Sequence, residues 1–167
     1  MPQEEQGVSR NRYCVIPRVL IFIFRGDEVL LIKGNPAKKI WPNRYNGIGG
    51  HIERGEDVLS AARRELKEEA GIQVEKLSLC GTVMVDAGGE RGIAIYIYKG
   101  KYEGDVLIES TEGSLEWVQI NQIVQYPLVE DLPIILPRVH KMDDRMQPFS
   151  ARYYYDTDER LCVRFGE

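Results

Sequence analysis

Residues 46–72 read NGIGGHIERGEDVLSAARRELKEEAGI. Three glycines, Gly47, Gly49 and Gly50, lie just ahead of the strongest helical segment in the chain. Residues 57–70 (DVLSAARRELKEEA) are dominated by Ala, Leu, Glu, Lys and Arg, which favour helix. Asp57 stands at the expected start, where a carboxylate suits the helix dipole. Gly71 stands just past the expected end, where a left-handed cap belongs. Successive helical residues turn by about 100°, so with Glu65 as reference Glu68 falls at about −60° and Glu69 at about +40°. Leu59, Ala62, Leu66 and Ala70 form a neighbouring apolar stripe that should face a sheet. Arg63 and Lys67 point elsewhere. The carboxylates therefore sit beside the buried stripe, not opposite it.

Two readings of this stretch are open. One is a loop and a charged surface helix with ordinary i,i+4 pairs. The other is a site for cations and phosphate. Glu65 and Glu69, four residues apart, repel each other, and such a cluster invites a counter-ion. Hard divalent cations take oxygen ligands, and Mg²⁺ uses a few carboxylates together with substrate phosphates. The glycines allow close backbone approach to a ligand, and a carbonyl there could serve as a donor; they also make an ordinary turn. The segment fits neither the phosphate-binding G-x-x-x-x-G-K-[S/T] loop nor G-x-G-x-x-G.

Around this stretch the chain alternates strands and loops. VLIFIF (19–24) and EVLLIK (28–33) flank Gly26 and Asp27 and predict a β-hairpin, its first strand covered on both faces. Residues 34–50, punctuated by Pro36, Pro42 and glycines, predict a long loop with a short strand over 45–48. LSLCGTVMV (77–85), IAIYIY (93–98) and SLEWV (114–118) predict further strands. Residues 121–140 read as helix in pieces, because Pro127, Pro133 and Pro137 forbid one uninterrupted helix. Residues 151–165 read as a hairpin turning at 157–159. The expected architecture is a mixed sheet with helices on its faces, an α/β sandwich. A polar segment, 1–12, is expected to be flexible ahead of a single domain over 13–167.

Composition narrows the function classes. A chain of 167 residues with 43% hydrophobic content buries enough surface to fold without structural metal or disulfides. The formal charge of −4 offers no basic footprint for nucleic acid, yet permits a single nucleotide as ligand. Cys14, Cys80 and Cys162 contain no C-x-x-C pair and read as reduced thiols. No apolar run is long enough to span a bilayer, and the start of the chain lacks a signal-peptide core, so a cytoplasmic location is expected.

The spacing of the opening stretch carries a resemblance. Gly50, five residues, Glu56, seven residues, then Arg64-Glu65-Leu66-x-Glu68-Glu69-x-Gly71-Ile72 matches every fixed position of the Nudix box, G-x5-E-x7-R-E-U-x-E-E-x-G-U. The chain resembles the Nudix hydrolases over about residues 17–165. The resemblance implies an α/β/α sandwich, hydrolysis of a nucleoside diphosphate linked to a moiety X, and Mg²⁺ with Mn²⁺ as substitute. It implies Glu68 and Glu69 as metal ligands, with the Gly49 carbonyl a further candidate and Glu65 as a ligand or the base that orients water. Glu56 would support the site, and Arg64 would orient a glutamate. A bound cation neutralises polyphosphate charge and acidifies water.

Subfamily features lie outside the box. ADP-ribose pyrophosphatases usually carry a proline downstream, but this chain has none between Pro42 and Pro127. Dinucleoside polyphosphate hydrolases often carry a tyrosine where Gly88, Gly89 and Glu90 stand. NRYNGIGGHIERGE (43–56) looks closer to the MutT-like triphosphatases that remove oxidised purine nucleotides. That likeness implies Asn46 on the base and a later metal ligand at Glu112, or at Glu109 if the loop shifts register. Gly49 and Gly50 would approach substrate. Ile40 and Trp41 would line the base pocket, with a packed loop anchor the other reading of Trp41. Asp131, or Glu130, would read the purine; a helix N-cap is the other reading of Asp131. Trp117 reads as core. The leading expectation is conversion of a purine nucleoside triphosphate, oxidised forms included, to monophosphate and pyrophosphate by a monomer or homodimer. The alternatives are another diphosphate substrate, such as ADP-ribose or a dinucleotide polyphosphate, and a non-catalytic nucleotide sensor.

Overall fold

The structure, a computed structural model, describes residues 3–8, 12–105, 110 and 112–166. Gln3–Gln6 make one 3-10 turn in the polar N-terminal segment. Its strands are β1 (Cys14–Arg25), β2 (Glu28–Gly34), β3 (Tyr45–Asn46), β4 (Ile48–His51), β5 (Leu77–Val85), β6 (Arg91–Lys101), β7 (Gly113–Gln119), β8 (Phe149–Tyr155) and β9 (Leu161–Phe165). The helices are α1 (Val58–Ala70) and α2 (Leu132–Lys141), with a 3-10 turn at Ile120–Gln125. The main path of the sheet runs β3-β2-β1-β6-β5-β8-β9, with β4 added to β1 and β7 to β2. Pairs β1–β6 and β5–β8 are parallel and the others antiparallel, so the sheet is mixed as expected.

Alternation along β1 divides the core. Val19, Ile21 and Ile23 point to a cluster with Ala62, Leu66 and Ala70 of α1. Leu20, Phe22 and Phe24 point to a second cluster with Leu132, Ile135, Leu136 and Val139 of α2. All six β1 residues are buried, which accounts for the unbroken apolar run. One helix thus covers each face. No helix among the described residues is long and apolar enough to cross a membrane.

The β1–β2 hairpin forks. β1 pairs with β2 at Ile23–Arg25, but at Arg18–Ile21 the same edge pairs with β4. β2 likewise pairs with β1 through Leu30 and then with β3 at Ile32 and Lys33. The segment 45–51 fills the fork, so Gly47 lies where the chain crosses from one strand to the other. A Cβ on Gly47 would meet the side chains of Phe22 and Leu20 at 2.8 and 2.9 Å.

Two expectations about helices need correction. Leu59, assigned to the sheet-facing stripe, is 36% exposed in the first turn of α1, and Ala61 is fully buried instead. The buried arc therefore extends toward β4, on the glutamate side. Second, residues 121–140 are helical in pieces as expected, but Pro137 is not one of the breaks: α2 continues through it. The proline removes only its own N–H from the ladder. Four buried apolar residues of α2 hold it against the sheet regardless. α2 is also capped at its end by Lys99, whose ammonium donates to the carbonyls of Val139, His140 and Met142. The closing hairpin is as read, with Asp156 accepting from the N–H groups of Asp158 and Arg160.

Candidate active site

The fork opens into a cavity of about 600 Å³. Asn46, Gly49, Gly50, Glu65, Glu69, Glu112, Asp131, Ile40 and Trp41 all line it. These residues come from β3, β4, α1, the loop between β2 and β3, the residue preceding β7 and the start of α2, so the fold brings sequence-distant candidates together.

The wall made by β4 and α1 is tightly built. Asp57 caps α1 by accepting from Leu59 and Ser60 N–H at 2.9 Å each, and Gly71 closes it at φ 64°. A Cβ on Gly50 would collide with the Glu65 carboxylate, and one on Gly49 with the Val19 carbonyl. The close approach expected to serve a ligand is thus taken up by the protein itself: glycine is required so that Glu65 can lie over β4. Gly49 N–H donates to Glu69 Oε2 at 3.2 Å. Arg64 donates to both oxygens of Glu56 and to Glu65, Glu68 and the His51 carbonyl, at 2.8–3.1 Å. It sits outside the cavity and acts as a brace for Glu56 and Glu65. Its guanidinium also holds the Glu56 carboxyl below the usual range.

The three box glutamates differ. Glu65 has a side chain only 12% exposed and faces the cavity. Glu69 lies between Glu65 and the apolar stripe, and burial, reinforced by the charges of Glu65 and Glu112, pushes its carboxyl up to about 7. Glu68, turned away from the stripe, is 59% exposed, paired with Arg64 and absent from the cavity wall. Its side chain leaves the helix on the solvent side, next to the Arg64 guanidinium rather than on the cavity wall.

The opposite wall is the 35–44 loop. Ile40 and Trp41 are 62% and 48% exposed, and Trp41 and Asn43 adopt left-handed conformations at φ 53° and 59°. The loop is closed by Asn43 N–H to the Gly34 carbonyl and Arg44 N–H to the Trp41 carbonyl. Trp41 is therefore not a packed anchor, whereas Trp117 is partly buried against the core with the Arg25 guanidinium 4.3 Å from its ring. Lys38 makes a 2.5 Å ion pair with Glu112. Glu109 lies outside the described residues.

Asn46 Oδ1 accepts from Gly47 N–H at 2.8 Å, which leaves its NH₂ group for a ligand. Asp131 occupies the N-cap position of α2 but makes no capping bond; its carboxyl faces the cavity and the buried Tyr153 hydroxyl. Burial raises its pKa. Glu130 is exposed and not on the cavity wall. Four cations on the wall, Arg18, Lys38, Lys39 and Arg44, escaped sequence reasoning. The Lys38-Lys39 pair in a long loop was a usable signal; Arg18, inside an apolar strand, offered none.

Among the described residues, no three acidic, histidine or cysteine side chains are gathered in ligating geometry. The donor chemistry nevertheless suits a hard cation. Glu65 and Glu69 bring carboxylate oxygens to the cavity wall beside the β4 backbone, and burial, with the charges of Glu65 and Glu112 added, raises the Glu69 pKa.

Comparison with known proteins agrees with this architecture. The oxidized purine nucleoside triphosphate hydrolase of Danio rerio is 33% identical over 106 residues, covering 62% of this chain and 66% of that protein. Its counterpart in Mus musculus is 30% identical over 105 residues, with the same coverage. The match thus spans just under two-thirds of the length of these curated relatives. The crystal structure of a MutT protein from Bacillus halodurans superposes with a TM-score of 0.74 at 25% identity, over 90% of this chain and 97% of that one. The NUDIX domain matches residues 16–139, the span that carries the fork, the box helix and Asp131, and the chain belongs to this family of hydrolases.

Proposed function

We propose that the chain hydrolyses purine nucleoside triphosphates, oxidised forms included, to the monophosphate and pyrophosphate with Mg²⁺. The observation that carries this reading is the convergence on one cavity of Glu65 and Glu69 with Asn46, Trp41 and Asp131. The names of the Danio rerio and Mus musculus relatives support the same substrate class.

Glu65, Glu69 and the Gly49 carbonyl would hold the cation, with Glu112 joining once released from Lys38. When bound, the cation neutralises phosphate charge and acidifies a water. The remaining work falls to the chain. Arg64 keeps Glu65 oriented, and Glu65 or Glu69 takes the proton of the attacking water. The Asn46 NH₂ group donates to an acceptor on the purine edge. Asp131, its pKa raised by burial, hydrogen-bonds the same base. Ile40 and Trp41 cover its face. Attack at phosphorus forms one P–O bond and breaks the anhydride P–O bond, and pyrophosphate departs.

A panel of nucleotides with Mg²⁺ and product identification tests the proposal. Equimolar monophosphate and pyrophosphate from a purine triphosphate is the expected result. Turnover confined to ADP-ribose or a dinucleotide polyphosphate would replace the substrate assignment, and no turnover of any nucleotide would sink it.

A further inference from the structure

Arg18 is one of four cations on the cavity wall, with Lys38, Lys39 and Arg44, that neither the box nor the proposed base contacts use. It lies on β1 opposite His51 of β4 and opposite Ile95 of β6. It shares strand parity with Leu20, and both reach the cavity. Its Nε is buried and has no hydrogen-bond partner. Among the described residues its guanidinium forms no ion pair, although Glu53 and Glu65 line the same cavity. Glu65 is already engaged by Arg64 at 2.8 Å. Lys38 and Arg44, by contrast, have partners in Glu112 and the Leu128 carbonyl. A buried N–H donor left without an acceptor is costly, and the cost is removed when a ligand supplies one.

The charge and the register together select the acceptor. A guanidinium without a counter-charge favours an anion over a neutral base carbonyl, and its fork suits two phosphoryl oxygens. Leu20 pairs with Gly49 and Arg18 with His51, so Arg18 stands two residues beyond Gly49, on the side away from Asn46. A substrate lying along β4, with its base at Asn46 and its reacting phosphate near Gly49, would bring its distal phosphates toward Arg18. We propose that Arg18 binds the departing pyrophosphate. The choice of pyrophosphate as ligand rests on the function proposed above.

The test is calorimetric titration of inorganic pyrophosphate, with Mg²⁺, into wild type, Arg18→Gln and Arg18→Lys, beside a titration with nucleoside monophosphate. Arg18→Gln should weaken pyrophosphate binding on the order of tenfold to a hundredfold, as expected for losing a charged hydrogen-bond donor. Arg18→Lys should fall between, because an ammonium keeps the charge without the fork. Monophosphate affinity should change by less than about twofold in both. Should Arg18→Gln unfold, Arg18→Lys decides on the same criteria. Unchanged pyrophosphate affinity, an equal loss for both ligands, or no binding of pyrophosphate by wild type would overturn the assignment. Binding requires no turnover. A chain that binds pyrophosphate through Arg18 yet cleaves no triphosphate would refute the functional proposal and leave this one standing.

Discussion

The two walls of the cavity are built in opposite ways. On the β4–α1 wall there is no room for a Cβ at Gly49 or Gly50, Glu65 is nearly enclosed, and Arg64 ties Glu56, Glu65 and Glu68 to the end of β4. On the 35–44 wall, two large apolar side chains stand exposed on left-handed or neighbouring backbone. The difference separates two tasks. Under the proposed function, the groups that hold the cation sit on packed elements, while Ile40 and Trp41, which would cover the base, sit on a loop that can change without disturbing the core.

The largest effect should come from the packed wall. Glu69→Gln should cut turnover on the order of a hundredfold to a thousandfold, measured as kcat with the best nucleotide. The same substitution carries a stability signature. A folded-state pKa of about 7 against 4.5 for the free side chain means the folded protein binds this proton more tightly. That contribution is full below 4.5 and is lost as pH rises through about 7. Cation-free wild type should therefore lose on the order of 2 kcal/mol over that range, with screening of the partly exposed carboxyl allowed for, and Glu69→Gln should not. Denaturant midpoints at several pH values check it.

Gly50→Ala comes next. The new methyl group must displace the Glu65 carboxylate, so activity should fall on the order of tenfold to a hundredfold, with about 1–3 kcal/mol lost in stability. Trp41→Ala probes the other wall. It should raise KM about tenfold through lost stacking and leave kcat and the unfolding midpoint nearly unchanged. A comparable fall in stability would show that the loop is packed, erasing the contrast between the walls. The smallest effect should be Glu68→Gln, less than about threefold in kcat, because its ion pair is exposed. A loss equal to that of Glu69→Gln would return Glu68 to the ligand set.

The contrast also explains what could be read in advance. α1 was legible because its caps, apolar stripe and glutamates are local features set by helical geometry. The β1–β2 hairpin and the last hairpin were legible from alternation and turn residues. The fork was not. It depends on β1 changing partners midway, and nothing local to β1 announces that. The exchange of Leu59 for Ala61 follows from the same cause, since it is β4, placed in the fork, that extends the buried side of α1. Arg18 was invisible for a similar reason: its significance lies in the partner it lacks, and an unpaired donor is a property of three dimensions.

The most direct measurement is divalent-cation binding without nucleotide, followed by thermal unfolding of wild type and Glu69→Gln at about pH 8 with increasing Mg²⁺, where ligand binding to the folded state raises the midpoint. The account predicts a clear rise for wild type and almost none for Glu69→Gln. An equal rise in both proteins would contradict the placing of the cation on Glu69 and the wall that holds it.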